Sequence, residues 1–146
     1  QTNAVIGGES SGGLAVRGHI AGKDRIYAAA LLVEMLAVTG KSVSQLYREI
    51  TDKYGMLYYE DAAFTMTQAR KAELQEKLFV KLEVPDFGNT VEKINRTDGC
   101  KVYFTDGSWV ICRFSGTDPL LRMAAEADEP SAAEGYIRAW RELLKL

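Results

Sequence analysis

Four short β-prone segments occupy the C-terminal half of the sequence and constrain its fold more than any other feature. They lie near residues 90–95, 100–105, 109–114 and 121–127. Asp98-Gly99 and Asp106-Gly107 separate the first three, and Asp-Gly is a strong hairpin signal because glycine adopts the positive φ of a tight turn. Consecutive strands joined by hairpins pair antiparallel, so this half predicts an antiparallel sheet.

Helices are predicted on both sides of these strands in the sequence. Thr67 is a suitable N-cap for a helix to about residue 79, and it follows a β-prone segment at 56–66. The tetrapeptide at 131–134, Ser-Ala-Ala-Glu, reads as a capping box that begins a last helix with one apolar stripe. The order strand, helix, four strands, helix predicts an α+β domain whose helices lie on one face of the sheet. We place the start of this domain near residue 52.

The first 51 residues have a different character. Asp24 can cap a helix over about 25–39, and Gly40 can close it; a second helix follows from Ser42 or Ser44 to about residue 54. The first helix is apolar on nearly every face, which is typical of a helix buried among several neighbours. Since residues 1–40 offer little to cover it, we expect this segment to be the tail of a larger α/β domain.

The segment between the last two predicted strands is rich in groups that bind phosphate. It reads Arg113-Phe114-Ser115-Gly116-Thr117-Asp118-Pro119-Leu120-Leu121-Arg122. The guanidiniums can form bidentate contacts with phosphate oxygens, the hydroxyls can donate, and the glycine allows backbone amides to point inward. An ordinary hairpin loop, with hydroxyls satisfying their own backbone and arginines paired with acids, is the alternative.

A second polar loop, Gly7-Gly8-Glu9-Ser10-Ser11-Gly12-Gly13, follows a short apolar run at 4–6. A carboxylate accepts hydrogen bonds from two adjacent hydroxyls and serine both donates and accepts, so the loop is suited to a polyol. A flexible Gly/Ser linker is the alternative. The loop also fits the Gly-x-Ser-x-Gly nucleophile elbow of hydrolases, but the alternating segment 14–22 that follows does not predict the required helix.

Together the two loops resemble one family. Arg-x-Ser-Gly-Thr-Asp-Pro-x-x-Arg at 113–122 is similar to the C-terminal phosphate-binding loop of the α-D-phosphohexomutases, the phosphoglucomutase and phosphomannomutase superfamily. Gly-Glu-x-Ser-Gly at 8–12 is similar to the sugar-binding loop of that family. The resemblance covers essentially the whole chain. It implies that 1–51 end the third, sugar-binding α/β domain and that 52–146 form the fourth domain, which has a TATA-binding-protein-like fold.

The resemblance also implies a role for individual residues. Glu9 and Ser11 correspond to sugar-hydroxyl contacts, whereas the substrate phosphate would be bound by Arg113, Ser115, Gly116, Thr117 and Arg122. Gly13 departs from the family pattern, which often has histidine there, so the preference for glucose, mannose or an amino sugar stays open. Asp118, being acidic, is expected to face away from the phosphate.

In this family a phosphoserine transfers its phosphoryl group to a hexose phosphate, and the bisphosphorylated intermediate reorients before the group is taken back. The sequence contains no Ser-His pair resembling the phosphoserine loop and no Asp-x-Asp-x-Asp string resembling the magnesium loop. We therefore expect no catalytic residue, metal or cofactor in this part of the enzyme. Mg²⁺ would belong to the parent chain, and these residues alone should be inactive. The expected partners are glucose or mannose 1- or 6-phosphate and the missing N-terminal domains; a stand-alone, non-catalytic phosphosugar or anion-binding module is the alternative.

Composition excludes several other classes. A net charge of −2 argues against a general nucleic-acid or anionic-membrane binder. Cys100 and Cys112 are not spaced like zinc ligands, and two thiols fit a reducing compartment, although a disulfide stays open. The longest apolar run, 26–38, is interrupted by Glu34 and is shorter than the ~20 residues of a membrane span. With no recognisable signal peptide, we expect a cytoplasmic protein without a membrane partner.

Overall fold

The computed structural model describes residues 3–9, 12–116 and 118–146. The chain divides into two compact units, Gln1–Tyr54 and Gly55–Leu146, and each is described by itself. The domain boundary predicted between residues 51 and 52 lies in the last turn of a helix, three residues before this division.

The first unit contains a small hairpin and two helices. Strands β1 (Ile6–Gly8) and β2 (Leu14–Val16) pair antiparallel, and helices α1 (Arg25–Thr39) and α2 (Val43–Tyr54) follow. Both caps predicted for α1 are confirmed. The Asp24 carboxylate accepts from the backbone N–H of the third helical residue, and Gly40 has a φ of 65°. Left-handed backbone favours glycine, so the sequence sets both ends of this helix.

Helix α1 is not covered within this unit. None of its residues is buried, and Ile26, Val33 and Val38 are 85%, 65% and 79% exposed. The burial that its sequence predicts is therefore absent, because the only strands in the described part of the unit belong to one hairpin with three residues in each strand. No single described helix is long and apolar enough to cross a membrane; α1 and α2 meet that length and composition test only as a pair, with an 87° bend between them.

The second unit is the α+β domain that the sequence predicts. Its elements are β3 (Tyr58–Thr65), α3 (Gln68–Gln75), a π-helical turn (Glu76–Val80), β4 (Val91–Asn95), β5 (Cys100–Phe104), β6 (Trp109–Phe114), β7 (Leu120–Ala127) and α4 (Pro130–Leu144). The five strands form one sheet in the order β3-β7-β6-β5-β4, and every neighbouring pair is antiparallel. The return of the chain from β3 to β4 through α3 places the last strand, β7, between β3 and β6.

The core lies on one face of this sheet. Buried strand residues such as Val102, Cys112 and Met123 pack with Leu78 and with Trp140 of α4. Side chains alternate along a strand, so the intervening residues point to the opposite face. We call this opposite side the open face; its members on the three central strands are Lys101, Tyr103, Trp109, Ile111, Arg113, Arg122, Ala124 and Glu126.

The two helix starts of this unit differ in how well the sequence predicts them. The Thr67 cap is confirmed, since its hydroxyl accepts from the Arg70 backbone N–H at 3.2 Å. The capping box predicted at 131–134 is wrong. Helix α4 begins at Pro130, and the N-cap residue, Glu129, makes no capping hydrogen bond with its side chain. Proline is favoured in the first turn because its fixed φ is helical and it lacks an N–H to satisfy.

Candidate functional site

The loop between β6 and β7 is held at both of its ends. The Ser115 backbone N–H donates to the Leu120 carbonyl at 2.8 Å, which extends the ladder beyond the strands. The Met66 N–H donates to the Pro119 carbonyl at 3.0 Å and ties the loop to the connection between β3 and α3. These two backbone hydrogen bonds anchor the ends of the loop.

Arg113 and Arg122 lie directly opposite each other on β6 and β7. Both belong to the open face, because Cys112, Leu121 and Met123 beside them are buried. Directly opposed residues have Cβ atoms about 4.5–5.5 Å apart, and like charges in such a pair destabilise the sheet. The other cross-strand neighbour of Arg122 is Ala63, which carries no charge. The fold thus concentrates two positive charges at the base of the loop.

The two guanidiniums have different surroundings. Arg113 Nη1 donates to Asp98 Oδ2 at 3.2 Å, in an ion pair whose side chains are 43% and 76% exposed. Among the described residues the Arg122 side chain has no hydrogen-bond or ion-pair partner. Exposed pairs of this kind contribute about 0–1 kcal/mol, so Asp98 offsets little of the local repulsion.

The centre of the loop is shaped by a serine and an acid. The Asp118 N–H donates to Ser115 Oγ at 3.3 Å, and the Asp118 carboxylate lies 3.4 Å from the same hydroxyl. Ser115 is only 9% exposed. Whether Asp118 faces away from a bound phosphate stays a prediction.

Neither the backbone conformation nor the packing of the described residues requires glycine at position 116. Its φ lies outside the left-handed region, and a Cβ at this position would meet no atom within 4 Å. Whether Gly116 lets backbone amides point toward an anion stays a prediction. What its missing side chain provides is open access to the loop backbone. Thr117, the other central residue of the prediction, lies outside the described residues.

The charge of Arg113 acts on the pKa of Tyr59, a residue of β3. Partial burial raises the pKa of Tyr59, the carboxylate of Asp61 adds to that rise, and the positive charge of Arg113 opposes it. Tyr59 belongs to the open face, because its partner Glu126 on β7 does. The influence of Arg113 thus extends across the open face toward β3.

Sequence interpretation predicted the turn between β4 and β5 but missed its close approach to Arg113 on β6. Gly99 has a φ of 89°, and a Cβ there would lie 2.5 Å from Arg113 Cβ and 2.6 Å from the Cys112 carbonyl oxygen. The turn therefore rests directly against the backbone that carries Arg113. The register could have shown this, because Cys100 pairs with Cys112 and residue 99 must then lie beside residue 113.

The predicted sugar loop belongs to the first unit. Glu9 accepts from Lys23 Nζ at 2.6 Å, and its backbone N–H donates to the Gly13 carbonyl at 2.9 Å. A Cβ on Gly13 would lie 3.1 Å from Glu9 Oε2 and 3.1 Å from Lys23 Cδ, so the lysine stem occupies space beside this glycine. Ser11 lies outside the described residues. The structure brings Arg113, Ser115, Gly116 and Arg122 together, while Glu9 lies in the other unit.

The described ranges hold no set of three or more His, Cys, Asp or Glu residues that could bind a metal ion, so these residues do not fit a magnesium site. The two cysteines, Cys100 and Cys112, are free thiols opposite each other on β5 and β6. Burial raises the pKa of both thiols, which makes them poor nucleophiles. Neither a metal ligand set nor a reactive thiol therefore adds to the loop chemistry in the described part of the chain.

Each of the two units matches a domain of a known protein family. Residues 1–54 match the phosphoglucomutase/phosphomannomutase alpha/beta/alpha domain III, and residues 63–143 match the phosphoglucomutase/phosphomannomutase C-terminal domain. The chain therefore belongs to the phosphoglucomutase/phosphomannomutase family, and the resemblance of the two loops is confirmed at the level of the family.

Individual relatives extend the comparison. A phosphoglucomutase/phosphomannomutase of Thermococcus kodakarensis is 31% identical over 99% of this chain and 29% of its own length. A phosphoglucosamine/phosphogalactosamine mutase of Sulfurisphaera tokodaii is 26% identical over 98% of this chain and 30% of its own length. A solved family protein of Burkholderia thailandensis, 23% identical, shares the fold with a TM-score of 0.68 over 99% of this chain and 28% of that structure. This chain thus spans less than a third of each of these relatives.

Proposed function

We propose that these residues are the substrate-binding C-terminal part of a phosphohexomutase. The parent enzyme would interconvert hexose 1-phosphate and hexose 6-phosphate by intramolecular phosphoryl transfer. In this proposal the loop at 113–122 binds the phosphate that is not reacting, and the loop at 7–13 orients the sugar ring. The observation that carries it is the pair of opposed arginines, Arg113 and Arg122.

The physical argument begins from the cost of that pair. Two like charges directly opposite each other weaken a sheet, and a phosphate dianion placed between them converts repulsion into attraction. A guanidinium is planar and presents its donors as a fork that matches phosphate geometry. Hydrogen bonds to charged groups contribute about 1.5–3 kcal/mol, so loss of one arginine should weaken binding about 10- to 150-fold.

The loop backbone supports the same proposal. Gly116 is glycine although neither its φ nor its packing requires it, and a bare Cα allows a ligand to approach the chain closely. The Ser115 amide is already bonded within the ladder. The neutral donors for a phosphate would therefore be the Gly116 amide together with hydroxyls of the loop, including that of Thr117.

The sugar-binding half of the proposal involves Glu9, Ser11 and a residue that the sequence did not suggest. Lys23 pairs with Glu9 at 2.6 Å, so a bound sugar would meet both a carboxylate acceptor and an ammonium donor. Relatives of this chain include both hexose and amino-sugar mutases by name. An amino group on the sugar would meet the Glu9 carboxylate favourably and the Lys23 ammonium unfavourably.

Catalysis would be completed by the rest of the parent enzyme. Binding energy from a phosphate remote from the reacting bond can be used to position the reacting end. A phosphoserine and Mg²⁺ would be supplied by the earlier domains, so we expect the 146-residue chain alone to show no mutase activity. Measurable conversion of glucose 1-phosphate by the purified chain would overturn this part of the proposal.

The direct test is a titration of the chain with inorganic phosphate and with glucose 1-phosphate, observed by NMR at the amides of Ser115 and Gly116. With inorganic phosphate we expect saturable shifts confined to the loop, and both ligands should lose their loop shifts in Arg113→Ala. Arg138→Ala is the matched control, because Arg138 is an exposed arginine of α4 outside the loop. Absence of any shift at millimolar phosphate would refute a phosphate site formed by this unit.

The same titration addresses the alternative of a stand-alone anion-binding module. A mutase part should also show shifts near Glu9 with glucose 1-phosphate and none there with inorganic phosphate. Equal responses to both ligands, confined to residues 113–122, would favour the anion-binding module.

A further inference from the structure

We infer that the Asp98-Gly99 turn positions Arg113 for phosphate binding and so forms part of the anion site. The inference rests on the proposed function, because it concerns the same loop. Asp98 and Gly99 are separated from the loop in sequence, and hairpin formation alone would explain an Asp-Gly pair. Two contacts in the structure go beyond what a hairpin requires.

The first contact is steric. Gly99 lies so close to β6 that a Cβ would be 2.5 Å from Arg113 Cβ, 2.6 Å from the Cys112 oxygen and 2.9 Å from Arg113 Cα. The other Asp-Gly turn of the sheet provides the comparison, since Gly107 has a φ of 88° and no atom within 4 Å of a Cβ. Both hairpins therefore need glycine for the left-handed backbone of their turns. Only Gly99 is needed in addition for a close approach to another strand.

The second contact is electrostatic. Asp98 Oδ2 accepts a single hydrogen bond from Arg113 Nη1, and a guanidinium has five N–H donors. Within residues 3–9, 12–116 and 118–146, the other four donors have no hydrogen-bond partner. The carboxylate therefore holds the guanidinium through Nη1, and Gly99 lets the turn that carries Asp98 lie close against β6.

Restraint of this kind increases affinity because a long side chain loses rotamer freedom when a ligand immobilises it. Arg113 begins partly ordered, so less freedom is lost on binding. Asp98 also repels the incoming phosphate, and this effect has the opposite sign. Asp98 is 76% exposed, so solvent and salt screen the repulsion, and we expect the restraint to dominate.

The test compares inorganic phosphate affinity among Asp98→Ala, Asp98→Asn and Glu92→Ala, measured in the full 146-residue chain. Asp98→Ala should weaken binding about 2- to 5-fold, which is within the range that an exposed ion pair can contribute. Asp98→Asn keeps an oxygen acceptor and should recover most of the affinity. Glu92 is an exposed carboxylate on β4 of the same hairpin, so its removal controls for net charge and should not weaken binding.

A second measurement separates positioning from stability. We expect the order parameter of the Arg113 Nε–H group to fall in Asp98→Ala and to stay unchanged in Glu92→Ala, while the urea midpoint of both variants stays close to that of the parent chain. If Asp98→Ala bound phosphate as tightly as the parent or more tightly, the carboxylate would act only as a competing anion and the inference would be wrong.

Gly99→Ala and Gly107→Ala test the steric contact as a matched pair. Both place alanine at a φ near +88°, so the backbone strain is shared. Phosphate affinity should fall in Gly99→Ala alone; equal affinities in the two variants would remove the steric half of the inference. If Gly99→Ala does not fold, the Asp98 series still decides.

The result for the parent chain distinguishes the two levels of proposal. If the parent and Arg113→Ala both fail to bind phosphate, the proposed function of the loop fails and the inference fails with it. If the parent binds, Arg113→Ala does not, and Asp98→Ala matches the parent, the role of the turn alone is refuted.

Discussion

The two units of this chain have similar fractions of apolar residues but bury them very differently. All the buried hydrophobic side chains of the described residues lie between Met66 and Leu144, in the second unit. In the described part of the first unit, Gly13 alone is buried. One unit therefore has a core of its own, and the other shows apolar surface without one.

Helices α1 and α4 show what separates the units, because both contain 15 residues. Helix α4 places Tyr136, Ile137 and Trp140 on one stripe, and the sheet covers that stripe. Helix α1 is apolar on nearly every side, and the described residues of its unit leave all of it at least partly exposed. An apolar sequence therefore determines how much surface must be covered, while the neighbouring elements determine whether it is covered.

Amide hydrogen exchange tests this difference between the two units most directly. Amides in α1 should exchange about a thousandfold or more faster than those of β6 and β7, because local opening free energies range from near zero to the global value. The measurement is exchange at Leu36 in α1 against Met123 in β7. Equal protection would mean that α1 is covered in solution, and dependence on protein concentration would identify a second copy as the cover.

A matched pair of leucines makes the comparison thermodynamic. Leu74→Ala in α3 removes a fully buried side chain and should lower the free energy of unfolding by about 2–5 kcal/mol. Leu32→Ala in α1 changes a side chain that is 43% exposed and should alter it by no more than about 0.5 kcal/mol. Urea unfolding followed by circular dichroism tests both. A large loss in Leu32→Ala would contradict the view that α1 lacks a packed partner.

Removal of a helix N-cap should change the free energy of unfolding less, and again only in the second unit. Thr67 and Asp24 both accept from the third backbone N–H of their helices. Thr67→Ala should destabilise the second unit by about 1 kcal/mol, because α3 is part of the cooperative core. Asp24→Ala should only fray the first turn of α1, seen in carbon chemical shifts. A shift of the tryptophan fluorescence transition in Asp24→Ala would argue against this separation, since Trp109 and Trp140 both lie in the second unit.

Most of the fold could be predicted because its signals are local. The Asp-Gly turns, the Asp24 and Thr67 caps and the Gly40 stop each depend on a few neighbouring residues. The start of α4 was misplaced because two local signals competed there, the Ser131 capping box and Pro130 at the first helical position, and the proline prevailed. The exposure of α1 could not be predicted from its own sequence, because burial depends on what lies beside it.

The candidate site shows the same division. The residue types at 113–122 predict an anion loop, and the strand register places Arg113 opposite Arg122. The restraint by Asp98 depends on how closely the β4–β5 turn approaches β6, which a hairpin signal does not specify. The polar network around Tyr136 was missed for a similar reason. Its hydroxyl lies 2.7 Å from Asn89 Nδ2 and 3.0 Å from Ser108 Oγ, and these residues come from three separate segments.

That network contains Asp106 and the α1 cap contains Asp24, and each aspartate has a lowered pKa. The pH dependence of the free energy of unfolding can therefore be compared between the two units. The Ser108 hydroxyl, then the Ser108 N–H and the Asn89 amide, lower the pKa of Asp106. The His19 side chain, then the Tyr27 N–H, lower the pKa of Asp24.

A carboxyl group with a lowered folded-state pKa stabilises the fold above its unfolded pKa, here about 3.8, and loses that contribution as pH falls through the folded value. Asp106→Asn should therefore lower the free energy of unfolding of the second unit at pH 6, by less than Thr67→Ala does, and the difference from the parent should shrink toward pH 3. Asp24→Asn should leave the tryptophan transition of the second unit unchanged at both pH values. Urea unfolding monitored by fluorescence measures each. A pH-independent deficit in Asp106→Asn would show that the hydrogen-bond geometry, and not the charge of Asp106, stabilises this end of the sheet.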